Sequence, residues 1–177
     1  VAVLVRQFTG VWVVWVMNYE VRMGTLSMRL LKPIHPFLGY AADILGAIPV
    51  RSLLVLPAVG GVLWWLDGPD MTTDPAQWAF FLAALWGAWL LNFFVQTAVG
   101  CLSFWTDQSV SVFDVWFGLW AVLSGYLIPN ALLPQWAQSA NAWLPFRYML
   151  GFPVEIGLGQ HDVGSALGGL AILYAWT

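Results

Sequence analysis

The sequence has little charge. Only 8% of its 177 residues are Asp, Glu, Lys or Arg, against roughly 25% in an ordinary soluble domain. So few charges cannot coat a water-facing surface, which excludes a soluble globular domain and a solvated disordered chain. The net charge of −3 leaves no basic face for nucleic acid. Cysteine is nearly absent. Cys101 alone can form neither an internal disulfide nor a Cys-based zinc site, and within its apolar run it reads as a small packing residue. The single lysine, Lys32, lies between Leu31 and Pro33, so there is no glycine-rich phosphate loop ending in lysine and no P-loop ATPase in this chain. Two histidines, His35 and His161, stand far apart and outside any His-Glu-x-x-His metal motif. Ser124-Gly125 is not a nucleophile elbow, because Val122 stands where that turn needs glycine. The expectation is a chain with no catalytic residue, no metal and no cofactor of its own.

Apolar and aromatic residues are abundant. The chain is 60% hydrophobic, carries 13 Trp, and has a mean hydropathy of +0.77. A helix needs about 20 apolar residues to cross the hydrocarbon core. Five stretches qualify in whole or in part: 1–19, 47–66, 77–105, 110–128 and 163–177. Strict alternation of apolar and polar residues, the barrel pattern, is lacking, so the expected fold is an all-α polytopic transmembrane protein. The chain opens on Val1 and stops within an apolar stretch at Thr177. It therefore reads as about five spans of a six-span protein, a single transmembrane domain over 1–177 without its N-terminal span and the end of its last. Residues 1–19 lack the basic start and small-residue cleavage site of a secretory signal.

Basic residues set the expected orientation. Arg22, Arg29, Lys32 and Arg51 lie in or beside the first connection, which is expected in the cytoplasm. The second, 67–76, carries Asp67, Asp70 and Asp74 and no base, and is expected outside. Alternation then puts Thr106–Ser109 inside and 129–162 outside, with Arg147 on the outer side against the rule.

Two connections are more elaborate than turns. Residues 20–46 hold a polar turn, the run Leu30-Leu31-Lys32-Pro33-Ile34-His35-Pro36 and an amphipathic stretch through Asp43. Pro33 and Pro36 break one helix and start another, and a short helix over about 36–46 is expected on the cytoplasmic membrane face. In 129–162, Pro129, Pro134, Pro145 and Pro153 divide an apolar segment into pieces shorter than a span, the pattern of helices that dip into the outer leaflet and return. Gly164-x-x-x-Gly168 has helix-contact spacing.

Charges in spans cost several kcal/mol unless paired or wet. Arg6 reads as a snorkelling side chain and Asp114 as a helix-start residue. Glu20 and Arg22 read as a solvated helix end, His35 as interfacial, and His161 beside Asp162 as an exposed loop pair. Glu155 follows Arg147 by eight residues; the two either pair or line an exit.

Two stretches carry a resemblance. Glu20-Val21-Arg22-Met23-Gly24-Thr25-Leu26 followed by Leu30-Leu31-Lys32-Pro33-Ile34-His35-Pro36 resembles the cytoplasmic loop leading into the coupling helix of ABC-2 type ABC transporter permeases. Leu123-Ser124-Gly125, Ile128-Pro129, Leu133-Pro134-x-Trp136, Leu144-Pro145-Phe146-x-Tyr148, Pro153-Val154-Glu155 and Gly159 are similar to the last external hairpin of the same permeases. The likeness covers roughly 1–177 and is greatest to bacterial export permeases encoded beside a separate ATPase; Arg6 departs from the family's pattern. The resemblance implies two permease subunits, as a homodimer or heterodimer in the bacterial inner membrane. It also implies two cytoplasmic ABC ATPase subunits that bind ATP and Mg. It places Glu20, Arg22, Gly24, Leu26, Lys32, Pro33 and Pro36 in the ATPase-coupling loop. It places Pro129, Pro134, Trp136, Pro145, Phe146, Tyr148 and Glu155 in an external gate hairpin. Lipids are the other expected partners, and nucleic acid is not one.

The alternative is an ion-coupled secondary transporter, which needs no ATPase. Such proteins often carry internal repeats and mid-membrane carboxylates, whereas here no repeat is visible and most acids lie in connections. A membrane enzyme would need a polar constellation at one membrane face, and none is apparent. A broad aromatic lining suits a lipid-like or amphipathic cargo; polysaccharides and peptides stay open.

Overall fold

A computed structural model describes residues 1–65 and 74–177. Its regular structure among these is helical throughout, with no strand. The second connection, 67–76, lies outside the described residues except for its end, so Asp67 and Asp70 are not placed.

The first apolar stretch is two helices, α1 (Ala2–Thr9) and α2 (Val13–Arg22), separated by Gly10–Trp12. A short helix α3 (Leu26–Leu30) follows. Between them Gly24 adopts φ +72°, a left-handed turn that a side chain would strain by about 1 kcal/mol or more. Helix α4 runs unbroken over Pro36–Trp65. It starts where expected, because Pro36 has no N–H to lose at a helix start. It does not stop near residue 46, so no separate short helix exists there. Nothing in Gly46-Ala47-Ile48 ends a helix, and Pro49 and Pro57 lie inside it. Internal prolines are tolerated where lipid leaves the backbone no alternative partner.

Helix α5 (Pro75–Cys101) is the spine. Asp74 caps it, accepting a hydrogen bond from the Ala76 N–H at 2.9 Å, and Pro75 occupies its first turn. A 3-10 turn, Leu102–Phe104, extends it. Helix α6 (Ser109–Leu123) is shorter than the expected 110–128, because the chain turns at Ser124 and Gly125 has φ +84°. The segment 129–162 forms a 3-10 turn (Asn130–Leu132) and three helices, α7 (Gln135–Asn141), α8 (Pro145–Met149) and α9 (Gly151–Gly157). Pro129, Pro134 and Pro145 each stand at or just before a start. Pro153 instead lies inside α9. Helix α10 (Val163–Ala175) closes the chain. Two helical stretches, Pro36–Gly61 and Pro75–Phe104, are long and apolar enough to cross a membrane.

Helices α1, α2, α6, α8, α9 and α10 all pack on α5. One core joins Ala84 and Leu91 of α5 to Val5, Trp120, Phe146, Phe152, Ile156 and Leu173. A second joins Trp89 and Phe93 of α5 to Val11, Val13, Met17, Tyr40 and Ile44. Small residues permit these approaches. A Cβ on Gly87 would lie 2.7 Å from Leu173 Cδ2, and one on Gly100 2.9 Å from Met17 Sδ. On α10 the contact glycine is Gly169, whose Cβ would overlap the Phe152 ring. Gly164 and Gly168 are exposed, and Gly168 faces open space, so the Gly164-x-x-x-Gly168 spacing makes no helix contact among the described residues.

The adjacent glycines give a clean contrast. Gly169→Ala will destabilise the protein by about 1–3 kcal/mol through overpacking. Gly168→Ala will be neutral or stabilising by up to about 1 kcal/mol, through helix propensity. Thermal unfolding followed by circular dichroism in detergent reads both.

Candidate functional site

Three places gather the polar side chains of this apolar chain: a corner where α2, α3 and α4 meet, the segment between α6 and α10, and a cleft beside the break in the first helix.

The corner is built on Glu20. Its carboxylate accepts hydrogen bonds from Arg29 Nη2 at 2.8 Å, Arg29 Nε at 3.1 Å and the Tyr40 hydroxyl at 2.5 Å. Arg29 also reaches Asp43 at 3.0 Å, and its guanidinium carbon lies 4.2 Å from the Tyr40 ring centroid. One arginine thus joins the end of α2, all of α3 and the first turns of α4. Burial alone would lower the Arg29 pKa; hydrogen bonds to Glu20 and Asp43 outweigh it and hold the guanidinium above its usual value. Glu20 is therefore no solvated helix end. Arg22, which is exposed, donates to the Asp107 carbonyl and ties α2 to the connection before α6. Asn18, one turn earlier, is buried and donates to Ser109 Oγ at 2.7 Å. Gly24 turns the chain, Leu26 is half-buried, Lys32 and Pro33 are exposed, and Pro36 starts α4. Sequence reasoning missed Arg29, Tyr40 and Asp43 as members of this cluster. Their spacing around Glu20 has no helical period, because a turn and a proline loop intervene. His35 is exposed, its ring edge-on to Phe37 at 5.0 Å.

In the second place, Arg147 and Glu155 pair at 2.7 Å. His161 Nε2 lies 2.9 Å from the same Glu155 oxygen and His161 Nδ1 3.1 Å from Ser165 Oγ. His161 therefore faces Glu155 rather than forming a loop pair with Asp162. Asp162 instead accepts from Ser165 Oγ at 2.6 Å, which holds its carboxyl below the usual aspartate value. Pro145, Phe146 and Tyr148 are buried. Phe146 packs on Trp116 at 4.6 Å, and the Tyr148 hydroxyl donates to the Ala142 carbonyl at 2.7 Å. Pro129, Pro134 and Trp136 are exposed, Trp136 at 76%. The site residues in this segment thus divide into a packed half and an exposed half. Asn141, fully buried, donates to the Leu123 carbonyl at 2.7 Å and secures the end of α6.

The cleft follows from the break at Gly10–Trp12. A helix interrupted among apolar neighbours leaves backbone groups that lipid cannot satisfy. Gln96 of α5 supplies one partner, donating from Nε2 to the Val11 carbonyl at 2.7 Å. Beside the break lies a cavity of about 610 Å³. Arg6, Arg51, Gln96 and Asp114 line it together with Trp12 and Trp120. Arg6 does not snorkel: it lies 4.4 Å from the Tyr126 ring centroid and 5.9 Å from that of Trp120, and donates to the Tyr126 hydroxyl. Arg51 stacks on Trp12 at 3.6 Å. Asp114 is in the second turn of α6, not at its start, and faces the cleft. No group of three or more His, Cys, Asp and Glu able to hold a metal ion occurs among the described residues.

Removing the carboxylate at the corner leaves Arg29 with Asp43 alone and Tyr40 without an acceptor. Glu20→Ala will cost about 2 kcal/mol, within the range for hydrogen bonds to charged groups. Lys32→Ala, at an exposed position, will stay within about 0.5 kcal/mol of the parent. Parallel thermal melts in one detergent test the difference.

No curated protein and no solved structure matches the chain. A family model described as ABC-2 family transporter protein matches residues 2–176, which is nearly the whole chain. The helical architecture and long apolar helices fit that assignment. The chain belongs to the ABC-2 family of transporter proteins, whose members are membrane transport subunits and not themselves catalytic.

Proposed function

We propose that the chain is the permease of an ATP-driven exporter, working in the cell membrane as a pair of permease subunits on a separate cytoplasmic ATPase that binds the ATP and Mg. The observation that carries the coupling half of this reading is the corner at Glu20. It is internally braced, yet its outer side is apolar and uncovered. Leu31 is 81% exposed, and Met23, Leu30 and Ile34 are exposed beside it. An apolar patch on a braced support, next to the exposed Lys32 and Pro33, suits a docking surface for a soluble subunit. A push on that surface passes through Arg29 into both α2 and α4. Glu20, Gly24 and Pro36 hold the surface's shape. Arg22 extends it to the connection before α6, and Leu26 is half-buried on α3.

Length supports a cytoplasmic extension of α4. Thirty residues make about 45 Å of helix, and the hydrocarbon core takes about 30 Å. The first ten or so residues can stand clear of it, as a coupling element continuous with its span. In this reading the membrane-crossing segments are α1 with α2, α4, α5, α6 and α10. Residues 129–162 cap the outer end as a re-entrant hairpin and gate. Its packed half (Pro145, Phe146, Tyr148, Glu155) fixes it to the bundle, and its exposed half (Pro129, Pro134, Trp136) meets the membrane interface, where Trp is favoured.

One observation favours the second reading, an ion-coupled secondary transporter: the broken first helix, since such breaks form ion and substrate sites in those proteins. Purification from native membranes separates the two. The export reading expects a P-loop ATPase to copurify. It also expects Leu31→Glu with Ile34→Glu to reduce its recovery at least fivefold with an unchanged melting temperature. An intact, dimeric protein that never brings down an ATPase would put ion-coupled transport in its place. Orientation is read separately. With Cys101 replaced by alanine, Trp136→Cys in whole cells will react with a membrane-impermeant maleimide, and Lys32→Cys only after permeabilisation. The opposite pattern would invert the topology.

A further inference from the structure

The cleft beside Gly10–Trp12 holds two guanidiniums in an otherwise apolar chain. Among the described residues neither Arg6 nor Arg51 makes an ion pair; both rest on aromatic rings. A cation in such surroundings is costly unless compensated, and one carboxylate in the cleft, Asp114, cannot balance two cations. The rest of the lining is apolar and aromatic, and about 610 Å³ lies in the range of small-molecule sites.

We infer that this cleft binds an anionic amphiphile, its phosphate-type head group between Arg6 and Arg51 and its apolar body along the aromatic wall. A zwitterionic choline head fits less well. Its cation would sit beside two guanidiniums with one carboxylate, Asp114, to offset them. Planar guanidiniums suit phosphate oxygens by paired hydrogen bonds. This inference stands apart from the export reading, because it concerns binding by the permease alone and needs no ATPase.

Native mass spectrometry of the purified protein in dodecyl maltoside tests it, with dodecyl phosphate as probe. One molecule retained per chain is expected. Dodecylphosphocholine, with the same tail and a zwitterionic head, will bind at least tenfold more weakly. Arg6→Gln with Arg51→Gln will weaken dodecyl phosphate at least tenfold. Asp114→Asn, which keeps both arginines, will tighten it, so the test does not depend on the double variant folding. Equal retention of both probes, or no change in any variant, would reduce the cleft to an unselective apolar groove and overturn the inference. Displacement of dodecyl phosphate by inorganic phosphate at equal concentration would show a bare anion site and overturn the amphiphile.

Discussion

A helix that breaks among apolar neighbours must have its loose backbone groups satisfied by the protein itself, because lipid supplies neither donors nor acceptors. The interruption at Gly10–Trp12 depends on this. Gln96, reaching across from α5, closes the Val11 carbonyl at 2.7 Å. Without it the first stretch would have reason to heal into one helix. With it, α1 and α2 can depart from each other, and the space between them becomes the cleft. Arg6, on α1, then faces inward rather than toward the membrane surface. The same side chain leaves its Oε1 buried and unpaired, so the bond that maintains the break carries a cost inside the bundle.

Elsewhere, sparse charge is concentrated where elements meet. Glu20, Arg29 and Asp43 join three helices at one corner, and Arg147, Glu155 and His161 join α8, α9 and the approach to α10. Exposed ion pairs contribute little in water. Apart from the exposed Asp43, these side chains are half-buried and share hydrogen bonds, so their effect is to fix angles between helices that apolar packing alone would leave free to slide. Non-directional packing on α5 supplies the bulk of cohesion, and the charged clusters supply registry.

The class of fold was legible because it follows from totals: too few charges for water and runs long enough for lipid. Family membership was legible because its short motifs fall in order around prolines whose effect is local; Pro36, Pro134 and Pro145 indeed stand at or just before helix starts. The break at Gly10–Trp12 was not legible, since Gly-Val-Trp carries no strong stop signal and the interruption needs a glutamine 85 residues away. The unbroken run of α4 past residue 46 was missed because its amphipathic first turns, through Asp43, read as a separate surface helix ahead of an apolar span, whereas Gly46-Ala47-Ile48 carries no stop signal. Of the site residues, Glu20 and Glu155 were chosen from sequence while their partners Arg29, Tyr40 and His161 were not recognised, because the pairings cross turns whose geometry has no sequence period. Phe146 and Tyr148, read as gate residues, are buried core side chains. Aromatic type alone does not distinguish packing from an exposed role.

Helix α4 has a mechanical consequence. A rod about 45 Å long that tilts by about 5° swings its far end by about 4 Å, comparable to a side chain's width. Yet the rod is not uniform. Proline removes the hydrogen bond to the carbonyl four residues back, so Pro49 and Pro57 each leave one rung of the ladder open, near Leu45 and Leu53. Such a rod resists compression along its axis while bending readily at two defined joints. Force applied at the end held by Tyr40 and Asp43 would arrive at the far end as thrust more faithfully than as tilt.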